Sequence, residues 1–209
     1  MKRTVKTASL LALAMLVGGS VYAQVVETTR YPDGSVYTGQ RTKKGNKRDG
    51  RGTMTWASGD RYEGEWKKGV QEGQGTYTWA NGMVYQGTFV NNQILGHGTF
   101  RFPNGNVMEG DWTDIGTGSG TMTFADGGRY EGAFLNGVFH GHGVRIWPNG
   151  DRYEGNFVQG HMQGQGSITR KDGSSYTGQW LNDLYNGQGR YISPEGEVQE
   201  GYFQAGKLQ

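Results

Sequence analysis

Apolar and polar residues alternate with period two in short runs along most of this chain. In Tyr62-Glu63-Gly64-Glu65-Trp66 the rings and the glycine share one parity and the glutamates the other, which is the pattern of a β-strand with one apolar face. Gly75-Thr76-Tyr77-Thr78-Trp79 repeats the arrangement with threonines on the polar side. Each such pair of runs is followed by a turn dipeptide, among them Asn81-Gly82, Asn104-Gly105, Asp126-Gly127 and Asn149-Gly150. Asn-Gly and Asp-Gly are signals of type I′ hairpin turns, so each unit reads as strand, loop, strand and tight turn.

The unit recurs. Its leading positions, Tyr37, Tyr62, Tyr85, Met108, Tyr130, Tyr153, Tyr176 and Gln199, are spaced by 25, 23, 23, 22, 23, 23 and 23 residues. A Gly-x-Gly pair follows in every unit, as in Gly50/Gly52, Gly73/Gly75, Gly96/Gly98 and Gly141/Gly143. A lone hairpin is marginal in water, so the repetition calls for hairpins stacked edge to edge, with about 15 strands about 4.8 Å apart.

The order Tyr-x-Gly-x-Trp/Phe, Gly-x-Gly, an aromatic and Asn/Asp-Gly resembles the MORN repeat family over residues 37 to 206. The resemblance implies an all-β fold, an elongated single-layer antiparallel sheet of stacked β-hairpins. It also implies self-association through the ends, and a role in holding proteins, peptides or membranes together without activity of its own. In enzymatic members a separate domain performs the chemistry, and the residues after Gln24 are expected to leave no room for one. The organisation expected is a leader over residues 1–23, an N-terminal half repeat over 24–36, seven repeats over 37–198 and a C-terminal half repeat over 199–209.

Composition fits this picture rather than a compact globule, with 39 glycines and 33% hydrophobic residues in 209. Lys2, Arg3 and Lys6 precede an apolar run from Ala8 to Val17 and the small-x-small sequence Val21-Tyr22-Ala23. That three-part pattern predicts a signal peptide cut near Ala23 and a periplasmic or secreted protein. Removing the leader leaves 18 basic against 19 acidic residues, a net charge of −1, which argues against a nucleic-acid partner. Without cysteine there is no thiolate chemistry, disulfide or lipid-modified cut site.

No catalytic constellation emerges. The Gly-x-Gly pairs enter strands, with no helix N-terminus or following lysine to meet a phosphate. Glu63, Glu109, Glu131, Glu154 and Glu200 repeat along one solvated face, whereas an acid and base pair needs two different environments. His97 and His142 share a column two units apart, about 19 Å, too far to share a metal. No cofactor or metal is expected.

Two surfaces carry the binding readings. The first is the ring face, with Trp66, Tyr77, Trp79, Phe89, Phe102, Trp112, Phe124 and Trp147 as candidate contacts for a protein or peptide; the same rings could instead pack internally or stack on a saccharide. The second is the first loop, where Arg41, Lys43, Lys44, Lys47, Arg48 and Arg51 cluster and could meet membrane lipid or an anionic envelope polymer. Toward the C-terminus Arg170 and Ser193 replace the ring found at Trp56, Trp79, Phe102, Phe124 and Trp147, so the ring face thins. Open sheet ends make a homodimer through the terminal repeats an expectation.

Overall fold

The computed structural model describes residues 5–8 by their backbone, and residues 26–44 and 47–209 in full. The expected leader lies outside the described residues except for Val5–Ala8, and so does its cut after Ala23.

Two compact units divide the chain, one up to Pro103 and one from Asn104 to Gln209. The first holds β1 (Val5–Ala8), β2 (Glu27–Arg30), β3 (Val36–Arg41), β4 (Arg48–Thr55), β5 (Arg61–Lys67), β6 (Val70–Thr78), β7 (Val84–Val90) and β8 (Gln93–Arg101). The second holds β9 (Val107–Asp114), β10 (Thr117–Thr123), β11 (Arg129–Leu135), β12 (Val138–Ile146), β13 (Arg152–Val158), β14 (His161–Thr169), β15 (Ser175–Leu181), β16 (Leu184–Ile192), β17 (Val198–Gln204) and β18 (Lys207–Leu208). Within each unit every strand pairs antiparallel with the next, giving the all-β sheet of stacked hairpins that the period demands.

Within each unit, register places one glycine of each strand from β3 to β8 and from β9 to β17 in a single line. In the first unit the line runs Gly39, Gly52, Gly64, Gly75, Gly87, Gly98. The leading tyrosines lie over it: the Tyr62 ring covers Gly75, and the Tyr85 ring covers Gly98. Removing side chains from the line lets a ring lie flat on the backbone, and this is how a one-layer sheet buries Tyr37, Tyr62, Tyr85, Tyr130, Tyr153 and Tyr176 completely. T-shaped contacts then close over each ring from its own repeat and the next, as Trp66 at 5.1 Å and Phe89 at 5.0 Å do for Tyr62.

The two glycines of Gly-x-Gly serve different needs. Gly73 has φ +85°, a left-handed conformation that side chains resist, whereas Gly75 has ordinary backbone and is required for space. The strand opposite carries a bulge between Gly64 and Trp66. The bulge turns the Glu65 carbonyl out of the ladder, and the Tyr62 hydroxyl donates to it at 2.9 Å. Tyr37, Tyr130, Tyr153 and Tyr176 make the same bond three residues on.

The turns correct the sequence reading. At Asn81-Gly82 the Gly82 N–H donates to the Trp79 carbonyl and the Trp79 N–H to the Met83 carbonyl, both at 2.9 Å. Only Gly82 of the dipeptide has positive φ, so this is a type I turn closed by a left-handed glycine, not type I′. Asn81 accepts the Met83 N–H on Oδ1 at 3.0 Å, a local bond that suits the right-handed region. Type I′ geometry instead occupies the segments read as loops: both residues have positive φ at Lys68-Gly69, Asn91-Asn92, Asn136-Gly137, Gln159-Gly160 and Asn182-Asp183. The second N–H of each reaches the preceding repeat, as Asn92 does the Gln71 carbonyl at 3.0 Å.

Candidate functional site

The sheet face that carries the rings is not uniform. Near the bulges, Trp66, Phe89 and Trp112 are 4%, 2% and 1% exposed, wedged between tyrosines of successive repeats or buried beside them. The Trp66 indole N–H also donates to the Gly52 carbonyl at 3.0 Å. These three candidate contacts are therefore core, because the flat tyrosines leave a cleft that only the next large ring fills.

Near the type I turns the rings stay half-buried, and Tyr77, Trp79, Phe102, Phe124 and Trp147 all lie there. Trp56, missing from the candidate set, joins them. In the first unit they form a chain of contacts: Trp56 to Tyr77 at 5.5 Å, Tyr77 to Trp79 at 4.6 Å, Trp79 to Phe100 at 6.3 Å and Phe100 to Phe102 at 6.5 Å. Their outer faces line one strip across three repeats. Asp60 anchors it from the preceding turn, accepting the Tyr77 hydroxyl at 3.3 Å and the Ala80 N–H at 2.8 Å. Burial, with the Asp60 charge adding to it, pushes the Tyr77 phenol up to about 12, so it remains a donor at neutral pH.

The basic loop divides too. Arg41 packs its cation 5.0 Å from the Tyr37 ring and pairs with Glu27 at 3.7 Å. Arg48 lies 4.2 Å over the Trp66 ring, donates to the Gly69 carbonyl at 2.7 Å, and is held below its usual range by burial. Both belong to the packing of the first unit. Lys43, Lys44, Lys47 and Arg51 are exposed, and Arg51 lies across the strand from Glu65 on the opposite, polar face. That face holds a shallow cavity of about 450 Å³ lined by Thr38, Arg51, Thr53, Glu63, Gln74 and Gln86.

Acids on the polar face are tied to arginines two residues away, Arg61 to Glu63, Arg129 to Glu131 at 2.8 Å and Arg152 to Glu154 at 2.6 Å. The hydrogen bond and charge of Arg152 hold the Glu154 carboxyl below its ordinary range. Among the described residues no group of three or more His, Asp or Glu converges as a metal site. His97 and His142 are exposed.

A family model for the MORN repeat matches residues 42–61, 62–84, 85–107, 109–129, 130–152, 153–175 and 176–198. The chain belongs to the MORN repeat family. The tyrosine-over-glycine unit recurs through these MORN repeats, with Met108 in place of the tyrosine in one of them and Arg170 and Ser193 in place of the turn ring in the last two. No curated protein sequence matches the chain. Among solved structures, the G-box domain of the microcephaly protein CPAP is similar at 13% identity and TM-score 0.50, covering 88% of this chain and 96% of that one. The E1021V mutant of the TCP10 domain of Danio rerio CPAP is 16% identical with TM-score 0.46, covering 87% and 90%. The SAS-4 (dCPAP) TCP domain of Drosophila melanogaster, solved with a proline-rich motif of Ana2 (dSTIL), is 14% identical with TM-score 0.34, covering 86% and 84%. At these identities the likeness concerns the fold.

Proposed function

We propose that this MORN repeat protein is a non-enzymatic scaffold that holds a protein or peptide partner along the half-buried strip of Trp56, Tyr77, Trp79 and Phe102. The observation that carries the reading is the division of the rings: those at the bulges are sealed, while those at the turns keep an open face although the same sheet could have buried them. Flat rings fixed by contacts with each other lose little freedom on binding and suit the extended backbone of a peptide. The export pattern of the first residues supports a role outside the cytoplasm.

The test is capture of partners from the protein's own compartment, comparing the natural chain with a Trp56→Ala/Trp79→Ala variant. A defined protein retained by the first and released by the second, with unchanged denaturation midpoints, supports the scaffold reading. Loss of two central rings should weaken binding by about thirtyfold or more. Equal capture by both forms overturns it, and recovery of lipid or envelope polymer alone would shift the function to Lys43, Lys44, Lys47 and Arg51.

A further inference from the structure

The ring face changes character in the second unit. Its row position taken by Tyr77 and Phe100 in the first unit is filled by Arg145, paired in register with Tyr130 on one side and Tyr153 on the other. The Arg145 guanidinium lies 3.6 Å from the Phe124 ring centroid, with Trp147 at 5.7 Å and Phe139 at 5.8 Å. One of its terminal nitrogens is covered and has no hydrogen-bond partner. Desolvation lowers its pKa and the Asp126 charge opposes this, yet among the described residues Arg145 forms no ion pair, unlike Arg129 and Arg152 on the polar face.

One repeat on, Arg170 stands where Trp147 stands in its own repeat. It donates to the Tyr185 hydroxyl at 2.6 Å and Ser174 Oγ at 3.4 Å, with its charge 5.8 Å from the Tyr185 ring. A cavity of about 680 Å³ opens beside it, lined also by Tyr185, Tyr191, Phe203 and Lys207. Asp172 acts on Arg170 through space without pairing with it. Two cations thus stand among rings, Arg145 without an ion pair and Arg170 with its bonds to Tyr185 and Ser174 leaving other N–H donors over.

We propose that the ring face of the second unit receives an extended segment of a partner protein bearing carboxylates, one seated on Arg145 among Phe124, Phe139 and Trp147, the other on Arg170 beside Lys207. The inference rests on the reading of the chain as a peptide-binding scaffold and adds the chemistry of the partner. Guanidinium held flat on a ring presents its edge to a carboxylate, and the pair is strengthened by the low-dielectric surroundings. The two arginines stand two strands apart and two residues out of register, about 12 Å, so the two acids belong at least about three residues apart in an extended chain.

A short linear random peptide library displayed on phage would be selected against the full chain, an Arg145→Gln/Arg170→Gln variant and the Trp56→Ala/Trp79→Ala variant. The natural chain should enrich peptides with two acidic residues about three apart, and the arginine variant should lose that preference. A synthetic peptide from the first selection should bind the arginine variant about tenfold more weakly; replacing its acids by amides should cost the natural chain the same factor and the variant little. Arg145→Lys, a point charge without the planar edge, should recover only part of the acid preference. Peptides without acids, or acid preference surviving in the arginine variant, would overturn the inference while leaving the scaffold reading intact. Failure to select any peptide at all would remove both.

Discussion

The Tyr62 ring lies so close over Gly75 that a β-carbon there would come within 2.5 Å of the ring edge and its hydroxyl. Gly75→Ala should therefore lower stability by about 1–3 kcal/mol through overpacking. Gly73→Ala, at φ +85°, should cost about 1–2 kcal/mol through backbone strain. The two are separable by denaturant unfolding in a Tyr62→Ala background, where the first penalty should shrink and the second persist.

Trp66 and Trp79 look equivalent along the chain but differ in depth. Trp66→Ala should cost about 3–5 kcal/mol, because it opens a cavity between Tyr37 and Tyr62. Trp79→Ala, at a half-buried position, should cost clearly less. Urea midpoints of the two variants check this directly, and equal losses would remove the distinction on which the candidate site rests.

Alkaline pH should unfold the sheet. Burial raises the phenols of Tyr37, Tyr85, Tyr130 and Tyr153 to about 12, against about 10 in an unfolded chain. The folded state thus favours the neutral phenol. Its contribution to stability is complete below about pH 10 and is lost as pH climbs toward 12. Denaturation midpoints should fall across that window, with phenolate absorbance appearing together with the loss of sheet signal.

Asp60 couples successive repeats through Ala80 and Tyr77. Asp60→Ala removes the acceptor of the exposed Ala80 N–H and should cost about 0.5–1.5 kcal/mol. Asp60→Asn keeps an acceptor and should recover most of it.

Arg48→Ala should lower stability by about 1–2 kcal/mol, since it removes a cation from the Trp66 ring and a donor from the Gly69 carbonyl. Replacing Lys43, Lys44 and Lys47 together by serine should change it by no more than about 0.5 kcal/mol. Thermal or denaturant unfolding of both variants would show whether the six basic residues are one patch or two groups.

Period-two alternation and the recurrence of Tyr-x-Gly-x-Trp carry the strands, their facing and their stacking, because all three follow from side-chain parity. Depth does not follow from parity. Trp66 and Tyr77 share a face, yet one is sealed by the bulge geometry and by Tyr37 of the preceding repeat, and the other is not. The turns were misassigned for a related reason: Asn-Gly fits two turn types, and the choice depends on strand register beyond the dipeptide. Arg145 was readable as a break in the row of Tyr77 and Phe100, but its lack of an acceptor emerges only from the packing around it.

Four tyrosines are closed partly by a ring 27 residues further on, Tyr62 by Phe89, Tyr130 by Phe157, Tyr153 by Trp180 and Tyr176 by Phe203, and Tyr37 is closed in the same way by Trp66. Maturation of the array therefore has a direction. A repeat that emerges first cannot finish its own interior until its successor supplies the closing ring, on whichever side of a membrane it emerges. Phe203 closes Tyr176 in this way from a strand beyond the last matched repeat.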